Sequence, residues 1–293
     1  MRLCLHRSGP RLSAMYLLVL LTWLPLFSVS AEAHASEELR FTLQSRAMGF
    51  AVPYMVYLPP DYAADNHYPV WYAMHGYSGS ETQWLRDAGI GKVADALMQS
   101  GALTPMLMVF PLTRYDSAKV IQEDLRDGKR GATRMEQFLC GELIPAIDAQ
   151  YATQVHPQGR YIGGFSMGGQ FALQIGLRHP ELFSKIGAYS PAIADTAYGD
   201  GQLERWLYGT ALQQGLTPDV RFAAQHGIDT LRVFMDYGVK NDPFAEAIQA
   251  IAEALTARGV QVTMQSHPGG HTLRADLLES YLLFYGVTDI TLP

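Results

Sequence analysis

The segment 159–173, Gly-Arg-Tyr-Ile-Gly-Gly-Phe-Ser-Met-Gly-Gly-Gln-Phe-Ala-Leu, constrains this chain more than any other. It reads as a short apolar strand, Tyr161 to Phe165, an abrupt turn at Ser166, and a helix that begins at Gly168 or Gly169. Within it, Gly164-Phe165-Ser166-Met167-Gly168 is a Gly-x-Ser-x-Gly pentapeptide. A serine on so tight a turn projects its hydroxyl above the sheet, and the flanking glycines are needed because the backbones come too close for a Cβ. The helix that follows aims free N–H groups and its positive dipole end at the same point, where a developing oxyanion would sit. Glycine-rich strand-to-helix junctions also occur in phosphate-binding proteins. Here both the strand and the helix that a nucleophile needs are in place, and Ser166 is read as that nucleophile.

The rest of the chain alternates strands and helices. Leu39 to Leu43 and Ala51 to Leu58 read as two strands joined by a turn near Met48-Gly49. Pro69 to His75 and Pro105 to Phe110 are buried strands around a helix at Val93 to Met98. Thr133 to Tyr151 patterns as a helix that Pro145 should kink. Beyond Ser166 come strands at Ile186 to Tyr189, Leu231 to Asp236 and Val260 to Gln265, with helices at Pro243 to Arg258 and Leu273 to Tyr285. This alternation predicts an α/β protein with a mostly parallel central sheet, helices on both faces and an antiparallel pair at its leading edge. Two polar stretches break the rhythm: Thr113 to Thr133 is a candidate rim or lid loop, and Pro191 to Thr230 is expected to be an excursion over the carboxyl end of the sheet.

The amino terminus stands apart. Arg2, Arg7 and Arg11 precede an apolar run from Met15 to Phe27, and small residues follow up to Ala35. This is the layout of a secretory signal peptide over residues 1–35, with cleavage after Ala31, Ala33 or Ala35. The apolar run is short for a span of roughly 20 residues and Pro25 interrupts it, so stable membrane insertion is not expected. Residues 36–293 then form a single domain, secreted or periplasmic. Net charge over the whole chain is −6, and removing the three arginines makes the remainder more acidic. Without basic clusters such a chain is unsuited to nucleic acid. Cys4 would leave with the signal, and Cys140 is read as a buried, inert thiol.

A serine hydroxyl needs a base to take its proton and an acid to orient that base, and on such a sheet they follow in the order Ser, Asp or Glu, His. His267 and His271 both come after the last strand. His271, preceded by Gly269-Gly270, is the choice for the base, with His267 as its alternative. His179 ends the nucleophile's own helix and should cap carbonyls there. For the acid, Asp242 lies past a strand end and just before a helix, and Asp236 at the strand end competes with it. Asp before Pro at a helix start is also a common cap, so capping is the rival role for Asp242. The oxyanion site is expected from two backbone N–H groups, those of Met167 and, on the loop His75-Gly76-Tyr77-Ser78-Gly79, of Tyr77. His75 itself suits a structural role. Tyr77, Trp84, Tyr115, Trp206 and Tyr208 are either pocket or packing aromatics, and packing is the better reading of each.

Several further pieces run along the chain: Tyr57-Leu58-Pro59-Pro60-Asp61-Tyr62, His75-Gly76-Tyr77, Glu142-Leu143-Ile144-Pro145, His179-Pro180-Glu181-Leu182-Phe183 and Pro268-Gly269-Gly270-His271. With the pentapeptide, they make the chain resemble the putative-esterase family of α/β-hydrolases, which includes S-formylglutathione hydrolases, feruloyl and acetyl-xylan esterases, siderophore esterases and mycolyltransferases. The resemblance implies the α/β-hydrolase fold, Ser166 as nucleophile, Asp242 as acid, His271 as base, and Tyr77 and Met167 as oxyanion donors. Two positions depart from the family pattern. Asn241 stands where the acid usually does, with Asp242 one further, and Thr272 and Leu273 follow the histidine in place of an aromatic.

The expected activity is hydrolysis of a carboxylic ester, small or carbohydrate-linked, through an acyl-enzyme. Acyl transfer to an alcohol or sugar is the alternative within enzymes, and a silent hydrolase-fold binding protein the alternative outside them. No metal or organic cofactor is implied, because the histidines show no ligand spacing and no dinucleotide fingerprint is present.

Overall fold

In the computed structural model, which describes residues 34–113, 133–193 and 230–286, eight strands form one sheet. They are β1 (Glu37–Gln44), β2 (Ala51–Leu58), β3 (Val70–Met74), β4 (Leu107–Pro111), β5 (Arg160–Phe165), β6 (Lys185–Tyr189), β7 (Arg232–Gly238) and β8 (Gln261–His267). Their order across the sheet is β1-β2-β4-β3-β5-β6-β7-β8. β1 and β2 pair antiparallel from Glu37 opposite Leu58 to Gln44 opposite Ala51, and β2 is antiparallel to β4. All remaining pairs are parallel. The described residues belong to one unit, Ala33–Pro293.

Burial follows position in the sheet. The central strands β3, β4 and β6 are buried throughout, as parallel strands covered on both faces must be. The edge strand β1 alternates between exposed and half-buried residues. Successive residues of β3 feed two separate cores. Val70, Tyr72 and Met74 join one that includes Phe138, Phe171 and Ile248, while Trp71 and Ala73 join an aromatic one with Trp84, Tyr189, Tyr281 and Tyr285.

The helices divide accordingly. On the aromatic side lie α1 (Ile90–Gln99) and α6 (Leu278–Gly286). On the other lie α2 (Arg134–Phe138), α3 (Ile144–Gln150), α4 (Met167–Arg178) and α5 (Ala245–Thr256). The last turn of α6 is pinned by the buried Lys185, whose Nζ donates to the carbonyls of Phe284 at 3.1 Å and Tyr285 at 3.0 Å.

Where the sequence suggests one kinked helix from Thr133 to Tyr151, the chain instead widens into a π segment, Leu139–Leu143, between α2 and α3. Pro145 is the cause: it has no N–H to give and its ring crowds the preceding turn, so the backbone opens there. Within that segment Glu142 accepts from the N–H groups of Arg46 and Ala47 and from the Ser45 hydroxyl, which ties it to the turn between β1 and β2.

The sheet reverses its direction of growth at β3. From β3 the chain passes to β4 on one side, and β5 lies on the other. The switch point thus lies between β3 and β5, and in open α/β sheets ligands usually bind outside the carboxyl ends of the strands at such a point. The loop Gly76-Tyr77 follows β3 and Ser166 follows β5.

Candidate active site

Ser166 joins β5 to α4 with φ 56° and ψ −117°, a backbone region that side chains seldom occupy. The turn is held from both sides. Its N–H donates to the Tyr189 carbonyl at 2.9 Å, and its own carbonyl accepts from Gln170 at 3.0 Å and Ala192 at 2.9 Å. The pentapeptide glycines are explained by approach distances. A Cβ on Gly164 would stand 2.8 Å from the Met74 carbonyl oxygen, and one on Gly168 would stand 2.7 Å from that of His75. The helix begins at Met167, one residue earlier than the glycines suggest.

His271 meets this serine: its Nε2 lies 2.8 Å from Ser166 Oγ. Its ring is packed between two aromatics, stacked on Phe165 with centroids 5.3 Å apart and edge-on to Phe244 at 4.9 Å. On the far side of the imidazole, Nδ1 is 3.4 Å from Asp242 Oδ1 and 3.0 Å from the hydroxyl of Ser190. That hydroxyl also donates to Asp242 Oδ2 in a very short hydrogen bond.

The carboxyl ends of β7 and β8 bring Asp242 and His271 together. The two strands stay in register as far as Gly238 opposite His267, and their loops remain linked beyond it. Val239 N–H donates to the His267 carbonyl at 2.9 Å, and Lys240 N–H to that of Gly269 at 3.1 Å. Asn241 then turns the chain with φ 57°, a conformation Asn tolerates better than most residues, and this turn delivers Asp242. The position of Asp242, one residue beyond Asn241, thus has a backbone reason.

Asp242 is both a cap and a member of the site. Its Oδ1 accepts from Phe244 N–H at 3.1 Å just ahead of α5, and its Oδ2 accepts from Gly238 N–H at 3.1 Å. Burial would push its carboxyl up, but the Ser190 hydroxyl, these two N–H groups and the facing imidazole hold it below the ordinary carboxylate range.

Asp236 is placed differently. It does not end the strand, because β7 runs on to Gly238; its charge mimics a strand end, but buried hydrogen bonds absorb it. It accepts from Ser190 N–H at 2.7 Å and from the Tyr281 hydroxyl in a very short bond. Burial lifts its carboxyl to about 6 against these two donors. Its hydrogen bonds run to the backbone of Ser190 and to α6, not to the imidazole.

Three other described histidines, His75, His179 and His267, fall into structural places. His267 is the last residue of β8 rather than part of the loop after it, and its Nδ1 accepts from Gly269 N–H at 3.3 Å. His271 lies in the turn ahead of α6 and does not open that helix. His75 is buried. Its Nε2 accepts from Thr113 N–H at 2.9 Å, so Nδ1 carries the proton and donates to the Gly76 carbonyl at 2.6 Å. His179 does not cap carbonyls as expected: both of its ring nitrogens face carboxylates, Glu136 and Glu181.

Met167 and Tyr77 carry the N–H groups expected to form the oxyanion site. Met167 is the first residue of α4, and a Cβ on Gly76, next to Tyr77, would come within 3.4 Å of Ser166 Cβ. The Tyr77 side chain is 59% exposed, whereas Trp84 is wholly buried and donates to the Met74 carbonyl at 3.2 Å. Tyr115, Trp206 and Tyr208 lie outside the described residues, as does most of the two polar stretches. Among the described residues no group of three or more His, Cys, Asp or Glu could hold a metal, and no helix is long and apolar enough to cross a membrane.

Three members of this cluster escape a reading of the sequence: Ser190, Phe165 and Phe244. Phe165 sits inside the pentapeptide and Phe244 two residues after Asp242, and that proximity is the one signal the sequence carries for them. Ser190 offers only its place, directly after β6, the strand beside the one that leads to Ser166.

The sequence pattern of the family described as "Putative esterase" matches residues 45–276. This chain belongs to that family. Among curated relatives of this esterase-family chain, an endo-1,4-beta-xylanase/feruloyl esterase of Xylanibacter ruminicola is 32% identical over 157 residues, covering 51% of this chain and 21% of that protein. An esterase of Mycobacterium tuberculosis is 24% identical over 273 residues, covering 81% of this chain and 56% of that protein. The chain thus spans between about a fifth and about half the length of these relatives. Among solved structures, a ferulic acid esterase superposes with a TM-score of 0.69 at 22% identity, covering 86% of this chain and 98% of that one. An S-formylglutathione hydrolase of Staphylococcus aureus superposes with a TM-score of 0.62 at 17% identity, covering 86% and 94%. The fold of this family member is that of the α/β-hydrolases.

Proposed function

We propose that this chain is an exported serine hydrolase of carboxylic esters. The observation that carries the reading is the 2.8 Å contact between His271 Nε2 and Ser166 Oγ at a strained strand-to-helix turn. In this reading Ser166 attacks the acyl carbonyl while His271 takes its proton at Nε2. Asp242 keeps the other proton on Nδ1 and stabilises the imidazolium. The tetrahedral oxyanion is held by the N–H groups of Met167 and Tyr77. His271 returns the proton to the leaving alcohol, and a water activated by the same imidazole releases the acid from Ser166.

The names of the relatives point to hydroxycinnamate esters, such as feruloyl groups on plant cell-wall carbohydrate, as the first substrate class to test. Export rests on the signal-like residues 1–35, and residues 36–293 are then the working domain.

Two measurements test the proposal. A fluorophosphonate probe should modify the folded protein at Ser166, and Ser166→Ala should abolish both labelling and turnover of p-nitrophenyl acetate. Labelling at another residue, or turnover that survives the substitution, removes Ser166 from its role. Running the reaction with an added sugar or glycerol acceptor tells hydrolysis from acyl transfer by the product formed.

A further inference from the structure

We propose that Ser190 is a positioning residue of the active site, a hydroxyl bridge between the carboxylate of Asp242 and the imidazole of His271. The inference rests on the proposed roles of Ser166, His271 and Asp242 and adds a fourth side chain to them.

The direct contact from Asp242 Oδ1 to His271 Nδ1 is 3.4 Å, longer than a charge-assisted N–H···O bond should be. Ser190 Oγ is nearer to the same nitrogen, at 3.0 Å. Its proton is directed to Asp242 Oδ2, so its lone pair is free to accept the Nδ1 proton. The imidazole N–H is thereby shared between a carboxylate and a hydroxyl that the carboxylate itself polarises. The arrangement fixes the tautomer with Nε2 unprotonated, the form able to take the proton from Ser166. No proton leaves Ser190 at any step; its hydroxyl stays neutral while Nε2 is loaded and unloaded.

The backbone around Ser190 is built to hold this position. The residue is buried and sits at φ 43°, unusual for a residue with a Cβ. Its N–H is fixed by Asp236, which Tyr281 holds in turn, and the preceding Tyr189 carbonyl accepts the N–H of Ser166. The strand β6 thus supports the nucleophile through one residue and the bridge through the next. This gives the buried Asp236 a purpose: it anchors the backbone from which the bridging hydroxyl projects.

The test uses the full chain with Ser190→Ala, which keeps the Cβ, and Ser190→Gly, which also relieves the backbone. Both remove the hydroxyl. Each should lower kcat for p-nitrophenyl acetate by about 10- to 100-fold, the worth of a hydrogen bond to a charged group, with KM changed by less than about 2-fold. In an Asp242→Ala background, adding Ser190→Ala should cost less than about 2-fold, because the two residues act on one imidazole. If both variants keep kcat within about 2-fold of the parent, or if the losses simply multiply in the double variant, the bridge is wrong. A loss with Ala but not with Gly would also overturn it, since the backbone and not the hydroxyl would then be at fault. Should Ser166→Ala remain active, the proposed function fails instead, and the two failures are told apart.

Discussion

Asp242 and His271 face each other across the loops that leave β7 and β8, with Oδ1 and Nδ1 3.4 Å apart and the carboxylate capping its own loop through Phe244 N–H. The capping bond and the contact to the imidazole are thus made by one side chain. The acid role proposed for Asp242 predicts that Asp242→Asn lowers kcat/KM for p-nitrophenyl acetate by about 10⁴-fold, because Asn favours the wrong imidazole tautomer. Asp236→Asn should cost about 10-fold or less, since Asp236 acts only through the backbone of Ser190. The reverse ranking would move the acid role to Asp236.

The aromatic clamp on His271 leads to a second expectation. Phe244 meets the imidazole edge-on at 4.9 Å, and truncating it leaves Phe165 as the aromatic ring packed on the imidazole. Such a contact is worth roughly 0.5–1.5 kcal/mol. Phe244→Ala should therefore slow fluorophosphonate labelling of Ser166 by about 3- to 10-fold. An unchanged labelling rate would show that the ring does not steady the base.

Glycines separate space from backbone freedom. A Cβ on Gly164 would press against Met74 and the backbone of Gly168, so Gly164→Ala should destabilise the fold by about 1–3 kcal/mol and cost activity as well. Gly49 turns between β1 and β2 at φ 80° with nothing within 4 Å of an added Cβ. Gly49→Ala should cost about 1 kcal/mol from strain alone and leave turnover intact. Urea unfolding and turnover on the same two variants check the contrast, which fails if Gly164→Ala is the milder change.

What the sequence discloses of this site follows from how locally each part is encoded. The turn at Ser166 is written in five adjacent residues, so it is legible. His271 is legible because paired glycines before a histidine after the last strand have few other uses. Asp236 misleads, since a charged residue at the end of an apolar run looks like a boundary. In the folded chain Tyr281, 45 positions away, supplies the donor that lets the strand continue. Ser190 is illegible for the same reason: both of its hydroxyl partners come from distant loops, and a lone serine after Tyr189 has no pattern to announce it. The π segment before Pro145 shows the limit of periodicity, which registers a kink but not the extra residue that relieves it.

At the C-terminal end of α4, His179 makes stability depend on pH. Its Nδ1 lies 2.7 Å from Glu181 Oε1 and its Nε2 2.9 Å from Glu136 Oε1, so the doubly protonated ring satisfies both carboxylates. Burial disfavours the charge, but the two carboxylates outweigh it and push the imidazole up from 6.5 to about 9. A group that holds its proton more tightly when folded stabilises the fold fully below its unfolded value. That stabilisation is lost as pH rises through the folded one. His179 should therefore contribute up to about 3 kcal/mol near pH 6 and nothing well above pH 9. His179→Gln removes the titration while keeping a polar side chain. Urea unfolding should find the parent protein more stable than the variant at pH 6, with the gap closing as pH approaches about 9.5. A gap that is the same at both ends of that range would mean that the ring is neutral in the folded protein and that Glu136 is balanced instead by Arg178, whose Nη1 lies 3.5 Å from its Oε2.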